Sequence, residues 1–374
     1  MATYYINPTG TNTSPYDTAA KGATSLKQLV QDDGITLTNT DTTYIVGDNG
    51  NISEGNAGAI VAGTITKDPA STNKPVVTAA VANTMMHIQS TNCTIKDIYF
   101  QTSFTAATTH MITISTNGQD ASDLTIDSCT FEATGSNQVS AIDNDKASDN
   151  FTLKNCVFIN VEAHSSSAYE NVVTVESTYS PSNTVIINNS FYNCATFDST
   201  AVNIKMAGIV GSTIQNNIIS GGGVGRDCNT SAGGTHNIDY NICHNTTTPF
   251  QTLAQQSNEI TSDPLYTAPG SGDLTLQSGS PAKDGGTTTT ATVDYNGVSR
   301  PQGASFDMGA FEFEEIELTC WYYTAKYKGS NRVYRDNGPG DFPKNLTVPA
   351  NVDTSTGVMI DEGVKIDPSR YTVN

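Results

Sequence analysis

The sequence predicts an all-β fold, a right-handed parallel β-helix in which the chain winds through stacked coils of short strands. Three observations predict it: six segments align without gaps, their spacing suits one coil each, and apolar residues recur at the same places in the segments. The composition agrees with a folded β-protein. The 374-residue chain is 36% hydrophobic and 15% charged, and polar uncharged residues that favour strands and turns dominate.

The aligned segments define three columns of residues. They are NCTIKDIYF, LTIDSCTF, FTLKNCVF, TVIINNSF, STIQNNII and HNIDYNIC. The first column contains Ile95, Ile126, Leu153, Ile186, Ile214 and Ile238. The second contains Ile98, Cys129, Cys156, Asn189, Asn217 and Asn241, at steps of 31, 27, 33, 28 and 24 residues. The third contains Phe100, Phe131, Phe158, Phe191, Ile219 and Cys243.

The columns predict how each coil is built. In triplets such as T-I-D and T-L-K, the apolar residue faces the core and its neighbours face outward. The three-residue step between the first two columns predicts a bend between strands. Asparagine at such a bend can adopt left-handed backbone angles, and its amide can bond to the asparagine about 4.8 Å away in the next coil. Asn189, Asn217 and Asn241 therefore form a candidate ladder, and we expect Cys129 and Cys156 to be reduced core residues in the same column.

A second apolar set precedes the aligned segments by about a dozen residues, so each coil contributes at least two strands. The set comprises Ile112, Ile114, Ile142, Val173, Val175, Val202 and Ile204. A β-sandwich or a propeller also has many short strands. However, propeller blades are longer, about 40 residues, and sandwiches do not place like residues in columns.

The two ends of the stack need covers, because a parallel sheet otherwise leaves open edges. At the amino end, SLKQLVQDDG predicts a short amphipathic capping helix with Leu26, Leu29 and Val30 on one face, capped by Thr24 or Ser25. We therefore divide the chain into three parts. Residues 1–60 form the cap and first coils, residues 61–313 the β-helix with a closing segment at 263–313, and residues 314–374 a small carboxy-terminal β module.

Charge and targeting signals narrow the classes of function. The net charge is −19, and the first 313 residues carry 11 Lys and Arg against 28 Asp and Glu, so nucleic-acid binding is not expected. No apolar stretch is long enough to span a membrane. The first residues, MATYYINPTG, do not form a secretory signal peptide. Seven cysteines without CxxC pairs argue against a zinc site.

Two stretches resemble a known family. YYINPTG leads through the capping helix to TTYIVGDNG, and DPLYTAPGSGDLTLQSGSPAKDGG is followed by DYNGVSRPQGASFDMGAFEF, which contains the pattern D-x-G-A-x-E-[FY]. Over residues 3–313 the chain resembles right-handed parallel β-helix proteins of the pectate-lyase-like superfamily, and in particular phage tailspike or virion-type members. The resemblance implies the fold more than an activity, because lyases, hydrolases, tailspikes, adhesins and structural shafts share this fold. It also implies a homo-oligomer, since phage spikes of this kind are commonly trimers.

Three groups of residues are candidates for a site. Asp143, Asp145 and Asp149 lie within seven residues and either bind Ca²⁺ or form a solvated turn. Arg226 and Asp227 follow a glycine run near His236 and His244 and either do acid–base work or form a surface pair. In the tail, the aromatic residues either stack on sugar rings or form the core of the module. They are Trp321, Tyr322, Tyr323 and Tyr327.

The sequence contains neither the G-H-G and R-I-K segments of polygalacturonase-like proteins nor the basic cluster of pectate-lyase-like ones. The main hypothesis is therefore a virion or cell-surface structural protein, a fibre, tailspike-like or decoration component that meets protein or glycan partners and requires no cofactor. The alternative is a polysaccharide lyase or glycoside hydrolase on the same fold.

Overall fold

The computed structural model shows a parallel β-helix, as the column pattern predicts. It describes residues 1–54, 59–79, 84–103, 109–114, 120–134, 139–144, 148–162, 171–176, 182–196, 201–228, 234–314, 321–327 and 330–336. The chain forms two compact units, Met1–Glu314 and Glu315–Asn374. Among the described residues, no helix is long and apolar enough to cross a membrane.

Three parallel sheets run along the first unit, and each coil adds one strand to each sheet. The first sheet contains β1 (Thr3–Ile6), β2 (Thr42–Ile45), β5 (Thr64–Lys67), β8 (Thr94–Lys96), β11 (Thr125–Asp127), β14 (Thr152–Lys154), β17 (Ser182–Ile187), β20 (Val210–Gln215) and β23 (His236–Asp239). The second contains β3 (Ile52–Glu54), β6 (Val76–Ala79), β9 (Tyr99–Thr102), β12 (Thr130–Ala133), β15 (Val157–Ile159), β18 (Ser190–Tyr192), β21 (Ile218–Ser220) and β24 (Ile242–His244). The third contains β4 (Ala59–Val61), β7 (Met86–Ile88), β10 (Thr109–Ile114), β13 (Val139–Asn144), β16 (Asn171–Glu176), β19 (Val202–Ala207), β22 (Val224–Cys228) and β25 (Thr248–Gln251).

The predicted columns are confirmed residue by residue. The first column is in register along the first sheet from Ile95 to Ile238. The third column is in register along the second sheet from Phe100 to Cys243. The second apolar set lies in the third sheet, where Ile112 pairs with Ile142 and the column continues to Ile204. A one-residue slip in any strand would therefore move its apolar residue to the outer face.

Aromatic stacking runs down the second sheet inside the solenoid. The ring centroids of Phe100 and Phe131 are 5.2 Å apart, those of Phe131 and Phe158 are 4.9 Å apart, and those of Phe158 and Phe191 are 4.3 Å apart. All four side chains are fully buried. Each inner ring thus packs against a ring above and a ring below, which ties neighbouring coils together.

The asparagine ladder is confirmed, but its backbone differs from the expectation. The backbone N–H and the Nδ2 of Asn189 both donate to Oδ1 of Asn217, at 3.1 and 2.9 Å. Asn217 makes the same pair of bonds to Asn241, at 3.1 and 3.0 Å. The expectation that these asparagines are left-handed is wrong, because the residue before each of them turns the corner instead. These left-handed residues, with φ between 53° and 57°, are Asp97, Ser128, Asn155, Asn188, Asn216 and Tyr240.

The two cysteines of the ladder column are buried free thiols. The Sγ of Cys129 donates to the carbonyl of Ile95, and the Sγ of Cys156 donates to that of Ile126, at 3.7 and 3.8 Å. Burial, with a hydrogen bond from the Cys156 thiol to Cys129, raises the pKa of Cys156 well above its ordinary value. Both side chains therefore act as small core residues.

The amino-terminal cap is confirmed as a short helix, Gln28–Asp32, preceded by one further helical turn from Leu26. Leu26 and Leu29 are fully buried, and the Oγ of Ser25 accepts the N–H of Gln28 at 3.0 Å, so Ser25 is the cap. Glu54 on β3 accepts the N–H groups of Leu26 and Lys27 at 2.7 and 3.0 Å. The helix is thereby fixed to the second sheet by a buried carboxylate.

The closing segment packs against the side of the solenoid. It runs back along the outer face of the second sheet, and includes the hairpin of β26 (Tyr266–Ala268) and β27 (Asp273–Leu276). The reason is that this outer face is apolar in the later coils and must be covered. The second buried cluster contains Val157, Ile159, Ile218, Ile242, Tyr266, Leu274, Leu276, Ala282, Met308, Ala310 and Phe311.

The D-x-G-A-x-E-[FY] pattern at residues 307–313 is the attachment point of this segment. Asp307 accepts the N–H groups of Asp284 and Phe313, both at 2.6 Å. Glu312 accepts from the fully buried guanidinium of Arg300 at 2.6 Å. Gly309 has a φ of 91°, and a Cβ there would lie 2.7 Å from Ile218, so only glycine fits. The pattern therefore serves packing.

We expect Phe131→Ala to lower the free energy of unfolding by about 3–5 kcal/mol, because it removes a ring from the middle of a buried stack. Ile126→Asp should unfold the solenoid, since it buries an unpaired charge. Thr125→Ala, on the outer face of the same strand, is the matched control and should change stability by less than about 1 kcal/mol. Urea unfolding followed by circular dichroism measures all three. A soluble, stable Ile126→Asp protein would overturn the register.

The buried carboxyl of Glu54 should make stability depend on pH. Burial raises the pKa of Glu54 to about 6 from 4.5, against the opposing effect of its backbone hydrogen bonds. The folded state then holds this proton more tightly than the unfolded state, so the contribution of Glu54 to stability is present below about pH 4.5 and lost as the pH rises through 6. We expect the Tm to rise between pH 7 and pH 5 by more in the wild type than in Glu54→Gln. Identical slopes for the two proteins would contradict this account.

Candidate functional site

The connections between strands differ in length around the solenoid. From β8 to β24, the first and second sheets are always joined by two residues, such as 128–129 and 216–217. The connections into and out of the third sheet range from two residues, 208–209, to eleven, 160–170. Variable loops on a rigid scaffold are where binding residues concentrate. The outer face of the third sheet is therefore the candidate functional site.

Polar side chains occupy this face along the whole stack. We call the following column the polar stripe: His87, Thr113, Asp143, Thr174, Lys205, Asp227 and Gln251, which pair in register from coil to coil. Successive members repeat at the spacing between neighbouring strands, about 4.8 Å. The inner residues of the same strands are the apolar column that includes Ile112 and Ile142. The stripe is thus one regular outward face built on a packed core.

A histidine and a carboxylate meet in the middle of the stripe. The Nε2 of His110 lies 3.7 Å from Oδ2 of Asp143, and the two side chains are 8% and 14% exposed. Burial, together with the neighbouring His87, lowers the pKa of His110 to about 4 and outweighs the attraction of the carboxylate. Burial also lowers the pKa of His87. Both imidazoles are therefore neutral at pH 7, and each has one nitrogen that donates and one that accepts.

Hydroxyl and amide groups complete the face. The Oγ1 atoms of Thr84 and Thr113 are 3.2 Å apart, and the Nδ2 of Asn171 donates to Oγ1 of Thr174 at 3.1 Å. Asn171 is only 4% exposed. Among the described residues, its Oδ1 and the Nδ1 of His87 are buried without a hydrogen-bond partner. Buried polar atoms without a partner are costly, so this face favours a ligand or waters that donate to them.

Arg226, a candidate for acid–base work, is not in a surface loop. It lies on β22 in register with Ile204, in the inward column, and its side chain is fully buried. Its Nε and Nη2 donate to the carboxylate of Glu259, at 2.8 and 2.5 Å, and its guanidinium lies 4.8 Å from the ring centre of Phe250. Because a run of glycines indicates a loop, the sequence did not predict the strand β22 that contains Arg226. Arg226 lies one strand before the end of this inward column, where Phe250 of β25 pairs with it in register.

The other members of that predicted group are on separate sheets. Asp227 faces outward in the polar stripe and accepts a hydrogen bond from the hydroxyl of Thr252. His236 contacts Ser212 in the first sheet, and His244 contacts Ser220 in the second. The structure therefore does not assemble the Arg226, Asp227 and histidine group, and the surface-pair alternative is wrong as well.

The aspartates proposed for Ca²⁺ have different environments. Asp143 belongs to the polar stripe, whereas Asp149 lies at the corner that leads to the first sheet. Oδ1 of Asp149 accepts the N–H and the hydroxyl of Ser182, at 2.6 and 2.9 Å. Asp145 lies outside the described residues. Within the described parts of the chain, no three His, Cys, Asp or Glu residues are grouped to hold a metal ion, and calcium binding stays a prediction.

The aromatic residues of the tail lie in the second unit. β28 (Trp321–Tyr327) pairs antiparallel with β29 (Ser330–Asp336), and Tyr323 lies opposite Tyr334. The contacts of these side chains lie outside what the structure describes. Sugar binding by the tail stays a prediction.

Sequence reasoning missed His87, His110 and Asn171. The segments TMMHIQ and THMITI place each histidine next to apolar residues, a pattern that reads as core. Only the pairing of β7, β10 and β13 brings His87, Thr113 and Asp143 into one column. The sequence pattern that could have predicted this face is the polar residue that recurs between inward apolar residues on these strands.

The chain matches no protein-family model and no curated protein sequence. Among solved structures it is similar to a rhamnogalacturonan lyase, with 15% identity and a TM-score of 0.37, over 70% of this chain and 66% of that one. It is also similar to the pectate lyase Pel9A, with 12% identity and a TM-score of 0.30, over 83% and 96% of the two chains. A third is a mannuronic acid specific polysaccharide family 6 lyase from human gut microbiota, with 9% identity and a TM-score of 0.26, over 70% and 79%. The activities of these proteins are not transferred to this chain.

Replacing Arg226 tests whether its buried ion pair with Glu259 stabilises the carboxy-terminal coils. We expect Arg226→Met to lower the free energy of unfolding by about 3–5 kcal/mol, because it leaves the buried carboxylate of Glu259 without its cationic partner. The double variant Arg226→Met with Glu259→Gln should recover part of that loss. Asp227→Asn, on the outer face of the same strand, is the control and should cost about 1 kcal/mol or less. Denaturant unfolding gives the three values, and an Arg226→Met protein as stable as the wild type would refute the assignment.

Proposed function

We propose that this protein is a structural component of a virion or a cell surface, a rigid β-helical shaft that contacts a glycan through the polar stripe. The observation that carries the proposal is the buried, unpartnered Oδ1 of Asn171 beside Thr174 and one strand from the Asp143 carboxylate. A sugar hydroxyl both donates and accepts hydrogen bonds, and so can satisfy such mixed groups.

Rigidity supports the structural part of the proposal. Phenylalanine stacking, the asparagine ladder and the buried pairs Arg226–Glu259 and Arg300–Glu312 each tie distant parts of the chain together. The corner between the first and second sheets keeps one length from β8 to β24. A scaffold of this kind holds a recognition face in a fixed geometry, which lowers the entropic cost of binding.

The chemistry of the surface supports a glycan more than an apolar partner. Among the described residues, the exposed large apolar side chains are Met1, Leu265 and Val293, which are far apart in the sequence. The polar stripe instead repeats polar side chains at a regular spacing, and His110 and Asn171 lie beside its members Asp143 and Thr174. A linear polymer can meet such a repeating face at several coils at once, and several weak contacts then add to a stable complex.

Binding by the stripe is tested on a glycan array. We expect the wild type to bind at least one glycan and Asn171→Leu to bind it about tenfold more weakly, the loss of roughly one good hydrogen bond. Thr152→Ala, on the outer face of the first sheet, is the matched control. Trp321→Ala tests the tail separately. Unchanged binding by Asn171→Leu together with loss of binding by Trp321→Ala would move the glycan site to the second unit.

The structural role is tested by location. Mass spectrometry of purified particles and of cell envelopes from the source should detect the chain as a stoichiometric component. Sedimentation of the full chain tests the trimer that the sequence resemblance implies. Absence of the chain from both kinds of preparation would reject the structural role.

A second candidate function, polysaccharide cleavage, is favoured by the contact between His110 and Asp143. A neutral imidazole beside a carboxylate is suited to moving a proton, and the 3.7 Å separation of Nε2 and Oδ2 leaves little rearrangement for it. Incubation with plant and capsular polysaccharides, with and without calcium, should then release reducing ends or unsaturated products, and His110→Gln should abolish them. If no polysaccharide yields a product, polysaccharide cleavage is rejected and the structural role remains the proposal.

A further inference from the structure

Charges along the polar stripe distinguish between classes of glycan. The charged side chains among the seven stripe positions are Asp143, Lys205 and Asp227. Lys205 pairs directly with Asp227 in the register of β19 and β22, so the one cationic position stands next to an anionic one. The remaining carboxylate, Asp143, faces His110, which is neutral above about pH 5 because its pKa is lowered to about 4.

The whole molecule has the same sign as this face. The net charge is −19, and residues 1–313 contribute 11 positive and 28 negative side chains. A polymer that carries a carboxylate on every sugar would approach a negative protein and would then set its charges against Asp143 and Asp227. Like charges in a partly buried site are poorly screened. The net charge of the protein therefore repels such a polymer as it approaches, and Asp143 and Asp227 repel it when it is bound.

The recognition groups of the face point to hydroxyls. The unpartnered Oδ1 of Asn171 and Nδ1 of His87 are buried among the described residues. The Oγ1 atoms of Thr84 and Thr113 lie 3.2 Å apart, and Thr113 pairs in register with His87. None of these four side chains is charged at pH 7, and together they offer donors and acceptors. A carboxylate or sulfate only accepts hydrogen bonds, so it cannot satisfy the unpartnered Oδ1 of Asn171.

We infer that the polar stripe takes a glycan without carboxylate or sulfate groups, recognised through its hydroxyls, and rejects polyuronates and sulfated glycans. This inference rests on the proposed glycan contact and specifies its substrate class. The two carboxylates Asp143 and Asp227 outnumber the one cation of the stripe, Lys205, and therefore disfavour acidic polymers.

The experiment compares binding of two sets of probes to the full chain at pH 7. Dextran, galactan and a mixed-linkage β-glucan are the uncharged probes, and polygalacturonate, alginate and heparin are the anionic ones, each measured with EDTA and with Ca²⁺. We expect at least one uncharged probe to bind and each anionic probe to bind at least tenfold more weakly. An anionic probe that binds as tightly as the best uncharged probe, with or without calcium, would overturn the inference and leave the glycan contact standing. If no probe binds, the proposed function itself fails.

Variants locate the discrimination on the stripe. Asp143→Asn with Asp227→Asn should raise the ratio of anionic to uncharged binding at least tenfold at 0.01 M salt, and by less at 0.15 M, where charges are screened over about 8 Å. Asp17→Asn, which removes one exposed carboxylate from the amino-terminal segment, is the matched control, and its ratio should stay within twofold of the wild type. Equal ratios for the double variant and the control would show that the stripe does not discriminate. Circular dichroism of each variant checks that it is folded.

Discussion

The structure depends on the in-register stacking of identical corners. From β8 to β24, each coil passes from the first to the second sheet through a left-handed residue followed by a buried one, as in Asn188–Asn189 and Asn216–Asn217. Because this corner keeps one length, every strand on either side is held in the register that stacks like residue on like residue. Loop length can then vary elsewhere without disturbing the core. The phenylalanine stack, the ladder and the polar stripe are all consequences of that one repeated geometry.

A stack of identical coils has an exposed interior at each end. In this protein, buried polar groups hold the segments that cover those ends. Glu54 receives two N–H groups of the amino-terminal cap. At the other end, Arg226 replaces an apolar residue of the inward column and pairs with Glu259, which also accepts from the last ladder asparagine, Asn241, at 3.1 Å. Arg300 and Glu312 fix the closing segment along the flank. Each of these charges has partners, and a charge buried without them would be strongly destabilising.

The same geometry separates packing from recognition. The outer face of the second sheet is covered by the closing segment, and the first sheet presents a column of threonines with ion pairs such as Lys154–Asp127 beside it. The third sheet differs, because it combines variable connections with polar side chains that are buried yet not all satisfied. Unsatisfied groups on a rigid face are what a ligand can complete. For this reason the proposed glycan contact belongs there.

The sequence by itself determined the columns, the ladder partners, the capping helix and the existence of a closing segment, because each depends on local spacing that recurs from coil to coil. It did not determine where Arg226 points, where the closing segment lies, or that His87, His110, Asp143 and Asn171 share a face. Those facts depend on which strands pair across 22 to 31 residues of sequence and which apolar outer surface needs covering. Loops of unequal length separate these residues in the chain, and only the folded register brings them onto one face.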